Sequence, residues 1–467
     1  MTQKSSRKDS NIQWIATVGV LSLMVQVGIH IGWNSPNFAK LKSPDSPIPI
    51  TSTELSWLAT VVGLGGIIGS LLGSASMEFV GTRKTVLLNL FTVGLSWICI
   101  ILADSITWLV TGRLVAGVSC SMAYTCFSLY LGEISEASNR GTLITIAAGG
   151  NPLGVVIGTV AETYLPMHVT SLGYVASLKK SLKYRKYILT TYKMNFQSDV
   201  SLLDEFLYID SSFDRSIELY HGRSQLDLKL AEIEGFVHTQ KDQSIGEKLR
   251  QINSPVVWKC IILIIVLFAL PHLSGMGNIA SYMEIILESS KADELVDPKK
   301  FVIYANLIGV MGTILTFKLM DLLGRKSLLI MSSIGTTVAL LAIGFYFYAL
   351  KNGFDGIESW KWLPIFSVAM FVFGYAIGFS PVPGTVLSEI FPDNVKSIAA
   401  LIAAVSASLF SAVSAKAYQP LVDSQGLWLP FLIHAGLTVT LTIVVLSMLP
   451  ETKGKTFQEI QKILRGG

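Results

Sequence analysis

Charge is what this sequence has least of. Only 15% of its 467 residues are Asp, Glu, Lys or Arg, against about 25% in a soluble globular protein. With 51% hydrophobic residues and a mean hydropathy of +0.54, that deficit excludes an ordinary soluble domain. Cysteine is scarce too. Cys99, Cys120, Cys126 and Cys260 all fall in or beside apolar stretches. They lack the spacing of a metal site or disulfide framework and read as small lipid- or core-facing residues. No Asn-X-Ser/Thr acceptor occurs, so no glycan marks an outer face. There is no catalytic triad, metal cluster or phosphate loop, and Gly454-Lys455-Thr456 lacks the upstream Gly of a P-loop. Neither an enzyme nor a cofactor is expected. The net charge of +4 is small and lies in loops and tails, so it orients a membrane protein rather than binding nucleic acid. The polar start, Met1 to Asp9, has no cleavage pattern, and the first span is expected to be retained.

What the chain does have is repeated apolar stretches of about 20 residues, the length that crosses a hydrocarbon core. Spans read near 13–33, 55–74, 85–104, 108–131 and 142–161, then near 258–287, 300–320, 327–350, 362–390, 397–420 and 427–449. This predicts an all-α polytopic membrane protein. Its parts are an N-terminal bundle (1–160), an atypical segment with a linker (161–257), a six-helix bundle (258–449) and a tail (450–467). One span carries Gly63, Gly65, Gly66, Gly69 and Gly73, a pattern for close helix packing in lipid.

A short loop occurs twice, as Glu78-Phe-Val-Gly81-Thr82-Arg83-Lys84 and as Asp321-Leu-Leu-Gly324-Arg325-Lys326. In each, Gly permits a tight turn between antiparallel helices, and the acid can pair with the bases or with counterparts in neighbouring loops. Two copies at matching places indicate an internal duplication. Arg83, Lys84, Arg140, Arg325, Lys326, Lys396, Lys453 and Lys455 place these loops and both termini in the cytosol.

One segment breaks the pattern. Five spans leave the chain outside, yet Lys241, Lys248, Arg250 and Lys259 look cytosolic. A sixth span is needed between about 161 and 215, where no uncharged run is long enough and basic residues crowd from Lys179 to Lys193. The sixth span is therefore expected to be missing or replaced. Either an exon substitution or mis-assembled coding sequence, or a genuine eleven-span isoform, accounts for it. Beyond it, Leu226 to Val237 has the charge pattern of a soluble linker helix.

Further motifs stand in order. They are Gly112-Arg113 with Gly117; Tyr130-Leu-Gly-Glu133 with Arg140-Gly141; Leu273-Ser-Gly275; Pro381-Val-Pro383 with Glu389-Ile-Phe-Pro392 and Lys396; and Pro450-Glu-Thr-Lys-Gly-Lys-Thr456. With the repeated loop they resemble the sugar porter family of the major facilitator superfamily, closest in style to arthropod facilitated trehalose and glucose transporters. The resemblance implies two six-helix bundles and a plasma-membrane carrier of a small solute working by alternating access. It implies a conformational switch of Glu78, Arg83, Glu133, Arg140, Asp321, Arg325, Glu389 and Lys396, a cytosolic ion-pair latch that holds the outward-open state. Pro381 and Pro383 would let a gate bend.

The family's sugar-reading amides are almost all absent. Ala148 stands for the fifth-span Gln, Pro271 and His272 for the seventh-span Gln pair, Gly277 for the Asn after it, and Gly384 for the tenth-span Trp. Gly309 and Ala407 stand for two further Asn. His272, Ser274, Asn278 and Tyr282 remain as candidate solute contacts, with Asn306 a further polar position. Asn34 lies where proton-coupled relatives carry an Asp, which favours passive transport. The expected function is facilitative transport of trehalose or glucose. The alternatives are a non-transporting sensor or inactive isoform, and a carrier of a non-hexose polyol.

Overall fold

The computed structural model describes residues 2–135, 140–183, 255–391 and 393–451. The linker, the tail beyond Glu451, and the side chains of Glu133, Arg140 and Asp321 lie outside the described residues. The described chain is helical throughout. In the first half the helices are α1 (Thr2–Gly32), α2 (Asn34–Lys42), α3 (Ser52–Val80), α4 (Thr82–Ile101), α5 (Ile106–Ile134), α6 (Arg140–Ala148), α7 (Gly150–Tyr164) and α8 (Met167–Lys183). The second half holds α9 (Pro255–Leu273), α10 (Met276–Ser289), α11 (Pro298–Leu323), α12 (Arg325–Lys351) and α13 (Trp362–Gly374). A π-helical turn (Tyr375–Phe379) then leads to α14 (Val382–Ile390), α15 (Asp393–Gln425) and α16 (Trp428–Met448). Among the described residues, ten helical stretches are long and apolar enough to cross a membrane.

Local signals start these helices. Thr51 and Glu54 close a reciprocal capping box on α3, the Glu54 N–H donating to Thr51 Oγ1 at 3.2 Å and the Thr51 N–H to Glu54 Oε2 at 2.8 Å. Asp297 accepts from the Lys299 N–H at 3.0 Å, with Pro298 at the first position of α11. Gly81 and Gly324 sit between consecutive helices at φ of 85° and 84°, a backbone that side-chain-bearing residues rarely adopt. The face carrying these two turns is called the turn face below, and the opposite one the far face.

The duplication seen in the loops extends to packing. α1 packs against α7 as α9 does against α15; α3 against α5 as α11 against α13; α4 against α8 as α12 against α16. The first half therefore does hold a helix in sixth place. It is α8, whose described part, Met167–Lys183, packs on α4 as a sixth span would. A helix therefore stands in the sixth place, and the rest of the expected basic run, 184–193, lies outside the described residues. Residue counting missed it because Thr170 and Ser171 return their hydroxyls to the Met167 carbonyl, both at 2.8 Å, which lets polar residues sit in a helix. Tyr174 meets the Trp97 ring at 4.6 Å between centroids, and Trp97 stacks on His30 at 4.0 Å. Tyr174→Ala is expected to lower the thermal unfolding midpoint by several degrees, because the ring is α8's aromatic contact with α4. Tyr174→Phe keeps the ring and should lower the midpoint less, since it loses only the hydroxyl's interaction with Glu162. Thermal shift on the purified variants checks both.

The glycines of α3 serve two partners. A Cβ at Gly65 or Gly69 would lie 2.1 or 2.2 Å from a backbone oxygen of α5, so these positions close the first half on itself. A Cβ at Gly63 would lie 2.6 Å from the Ala412 nitrogen, and one at Gly66 2.6 Å from Ser408 Oγ, both on α15 of the other half.

Candidate functional site

The first and seventh spans are both interrupted. α1 gives way to α2 at Trp33, and α9 ends before Ser274-Gly275, where Gly275 has φ 87° and His434 leaves no room for a Cβ. The outer pieces α2 and α10 meet at the far face. Asn34 Nδ2 donates to Ser281 Oγ at 2.9 Å, and the Glu284 N–H donates to Ser35 Oγ at 3.0 Å. Phe38 stands 5.3 Å from the Tyr282 ring, and Tyr282 lies 4.8 Å from Tyr418. Beside them Asn306 Nδ2 donates to Thr159 Oγ1 at 3.0 Å between α11 and α7. The two halves are thus joined by neutral hydrogen bonds and aromatic contact at this face.

Behind this closure lies Arg113, 1% exposed. Its Nη1 donates to the His30 carbonyl at 3.0 Å and its Nη2 to Asn34 Oδ1 at 2.5 Å, and the guanidinium lies 4.8 Å from the Trp33 ring centre. A buried cation is tolerated here by hydrogen bonds and a ring face. Two acids flank the same region, Glu162 at 0% and Glu284 at 2% exposure. Asn37 Nδ2 donates to Glu162 Oε2 at 3.0 Å. Lys40 Nζ donates to the main-chain carbonyls of Glu162 and, at 3.0 Å, Leu165, satisfying groups left open at the end of α7. α2 is therefore pinned to the first half by its side chains while its other face meets the second half.

At the turn face, Arg325 Nη2 bonds Glu389 Oε1 at 2.6 Å, with side-chain exposures of 12% and 24%. Glu451 Oε1 accepts from the Arg325 N–H at 3.2 Å and Oε2 from the Lys326 N–H at 3.1 Å, a carboxylate on a helix N-terminus. Arg83 is buried, Lys396 half-buried, and Glu78 exposed at the end of α3. Pro381 and Pro383 bound the break between the π-helical turn and α14. Glu451→Ala is expected to weaken the α11–α12 turn and cut transport severalfold, whereas Glu451→Asp, keeping the charge, retains part of it. Initial uptake rates at matched surface expression decide.

Of the expected solute contacts, Ser274 is fully buried and donates to the Pro271 carbonyl at 2.8 Å. Asn278 Nδ2 is engaged with Ser414 Oγ at 3.1 Å and lies 3.1 Å from His434 Nε2. Tyr282 belongs to the far-face closure. His272 is partly exposed beside the helix break. Sequence reasoning missed Lys40, Glu162, Glu284 and the role of Glu451. The signal for the acids was present, since ionisable residues inside apolar stretches are functional by default. Glu451 was in view only as part of an ending motif.

Residues 14–464 match the family model described as "Sugar (and other) transporter". The chain belongs to the sugar transporter family. Among similar members, the facilitated trehalose transporter Tret1 of Bombyx mori is 24% identical over 97% of this chain and 87% of its own length. That of Culex quinquefasciatus is 25% identical over 97% and 86%. Among solved structures, the inward-open xylose transporter XylE from E. coli superposes with a TM-score of 0.72 at 18% identity, covering 97% of this chain and 99% of XylE. The proton:xylose symporter XylE bound to 6-bromo-6-deoxy-D-glucose gives 0.69, also at 18% identity, covering 98% of this chain and 100% of that one. These establish the major facilitator fold. Its relatives are transporters, and the chain is not an enzyme.

Proposed function

We propose that this protein is a facilitative carrier of a sugar such as trehalose or glucose. It works in the cell membrane with both termini in the cytosol, by rocking its two halves about a solute held between them. The single observation that carries the passive mechanism is the partner of Arg113. It is the neutral amide of Asn34, where a symporter of this family would place a titrating acid, so no proton is expected to be needed for each cycle. The described closure at the far face is one end state. The switch on the turn face is Glu78, Arg83, Glu133, Arg140, Asp321, Arg325, Glu389 and Lys396. Arg325–Glu389 lies within one half and is formed here with the far face closed. This pair is therefore the tie inside that half rather than the bond that holds the outward-open state. Pro381 and Pro383 mark where the tenth span bends.

The trehalose assignment is supported by the names of the insect relatives. Uptake of radiolabelled trehalose and glucose by cells expressing the protein tests it. Saturable uptake at unchanged rate between pH 6 and 8 is expected, and uptake no greater than in control cells refutes it. A second reading, a non-transporting sensor, is favoured by the atypical sixth helix and the lost amides. It predicts sugar binding without flux.

A further inference from the structure

The usual amide positions hold no amides, yet the fifth span carries one nearby. Asn151 lies on α7, three positions past Ala148 and across the turn at Gly149. Its Nδ2 donates to the hydroxyl of Tyr124 on α5 at 2.7 Å. Tyr124 is 48% exposed. Phe127 meets its ring edge-on at 6.5 Å. One turn earlier on α5, Ser121 Oγ lies 3.4 Å from Ser408 Oγ on α15, so this face of α5 looks towards the other half. Asn151 and Tyr124 sit well inside their spans. Tyr124 is ten residues from the turn-face end of α5, and Asn151 eleven from the start of α6, or about 15 and 16 Å by helical rise. That is the depth at which carriers of this architecture hold solute.

We propose that Asn151 and Tyr124 form the solute-contacting site of this carrier, for a neutral polyhydroxylated ring. The inference rests on the sugar-carrier reading above and names the residues that read the sugar. After the Asn151–Tyr124 bond is made, the second amide N–H, the amide oxygen and the Tyr124 O–H remain for solute hydroxyls. The Tyr124 ring and Phe127 supply apolar faces for the C–H side of a pyranose. Every group is neutral, which suits an uncharged solute. Ser274 and Asn278 are spent on the protein's own hydrogen bonds, so the first half carries the polar readout.

The test uses the full chain, purified and reconstituted, with trehalose and glucose as probes. Half-saturation for uptake and the sugar-dependent shift in unfolding temperature are both measured. For Asn151→Ala the concentration for half-saturation is expected to rise about tenfold, the size of one lost hydrogen bond. For Tyr124→Phe, which keeps the ring, a rise of about threefold is expected. Maximal rate should stay within about twofold in both, and Asn151→Gln should recover part of the loss. A purely structural role would instead lower the unfolding temperature without sugar and the maximal rate, leaving half-saturation alone. That result, or half-saturation within about twofold of the parent in both variants, overturns the site. If the parent binds sugar without flux, the carrier reading fails and the site stands or falls on whether Asn151→Ala abolishes the thermal shift. If the parent shows neither flux nor shift with either sugar, both are refuted.

Discussion

Replacing Arg325 by Ala is expected to lower transport turnover by about tenfold or more while the protein still reaches the membrane. The guanidinium bonds Glu389 at 2.6 Å in a largely desolvated setting. Removing one partner of such a pair leaves the other charge uncompensated, which costs far more than the pair contributes while intact. Glu389 is on α14, after the Pro381–Pro383 break, and Arg325 opens α12, next to the Glu451 carboxylate. One residue thus ties the turn, the tenth span and the end of the twelfth together. Because these elements belong to one half, losing the tie disturbs how that half moves as a unit rather than whether it forms. Turnover should fall and surface density should not. Glu389→Gln should fall in the same direction, and the double variant should be less than additive, since both remove one interaction. Surface biotinylation beside initial uptake rates separates the two effects. Unchanged uptake by Arg325→Ala would remove this pair from the switch.

The second large effect concerns α3, whose glycines face two ways. Gly65→Val is expected to abolish folded protein. Its Cβ would stand 2.1 Å from the Leu114 oxygen, a backbone atom of α5 within the same half, where overpacking of even moderate size costs about 1–3 kcal/mol. Gly63→Val points instead at the Ala412 nitrogen of the other half. It should yield folded, monodisperse protein whose halves no longer close around mid-membrane, with transport reduced about tenfold or more. Fluorescence-detected size exclusion and uptake, run on both, give the contrast. If Gly63→Val transported normally, the α3–α15 contact would not be part of the moving interface. If both variants folded equally well, the division of α3 into two glycine faces would be mistaken.

Much of this architecture was readable from residues alone. The span positions, the tight turns at Gly81 and Gly324 and the crowding of glycine on α3 follow from period, length and the absence of a Cβ. The duplicated loop pointed to two halves, and the packing repeats accordingly. Three things were not legible. α8 escaped because its polar residues bond back to their own helix, which a hydropathy count treats as exposure. The closure at the far face escaped because Asn34, Ser35, Ser281 and Tyr282 are ordinary residues until two interrupted helices bring them together. Glu451 was read as a motif letter, since only the fold places the chain's last span beside the start of α12. For the solute site, alignment looked for amides at inherited positions, and Asn151 lies one turn beyond the one expected. Glu389 was read as one member of an ion-pair switch with partners in adjacent helices, and the fold pairs it with Arg325.

The most direct test of the central claim is counterflow in proteoliposomes of the purified full-length protein, loaded with unlabelled trehalose or glucose and diluted into a trace of labelled sugar. A facilitative carrier predicts a transient accumulation of label above its equilibrium level, with no proton gradient applied and no change on adding an uncoupler. Label that only equilibrates, or accumulation that requires an inward proton gradient, would contradict it.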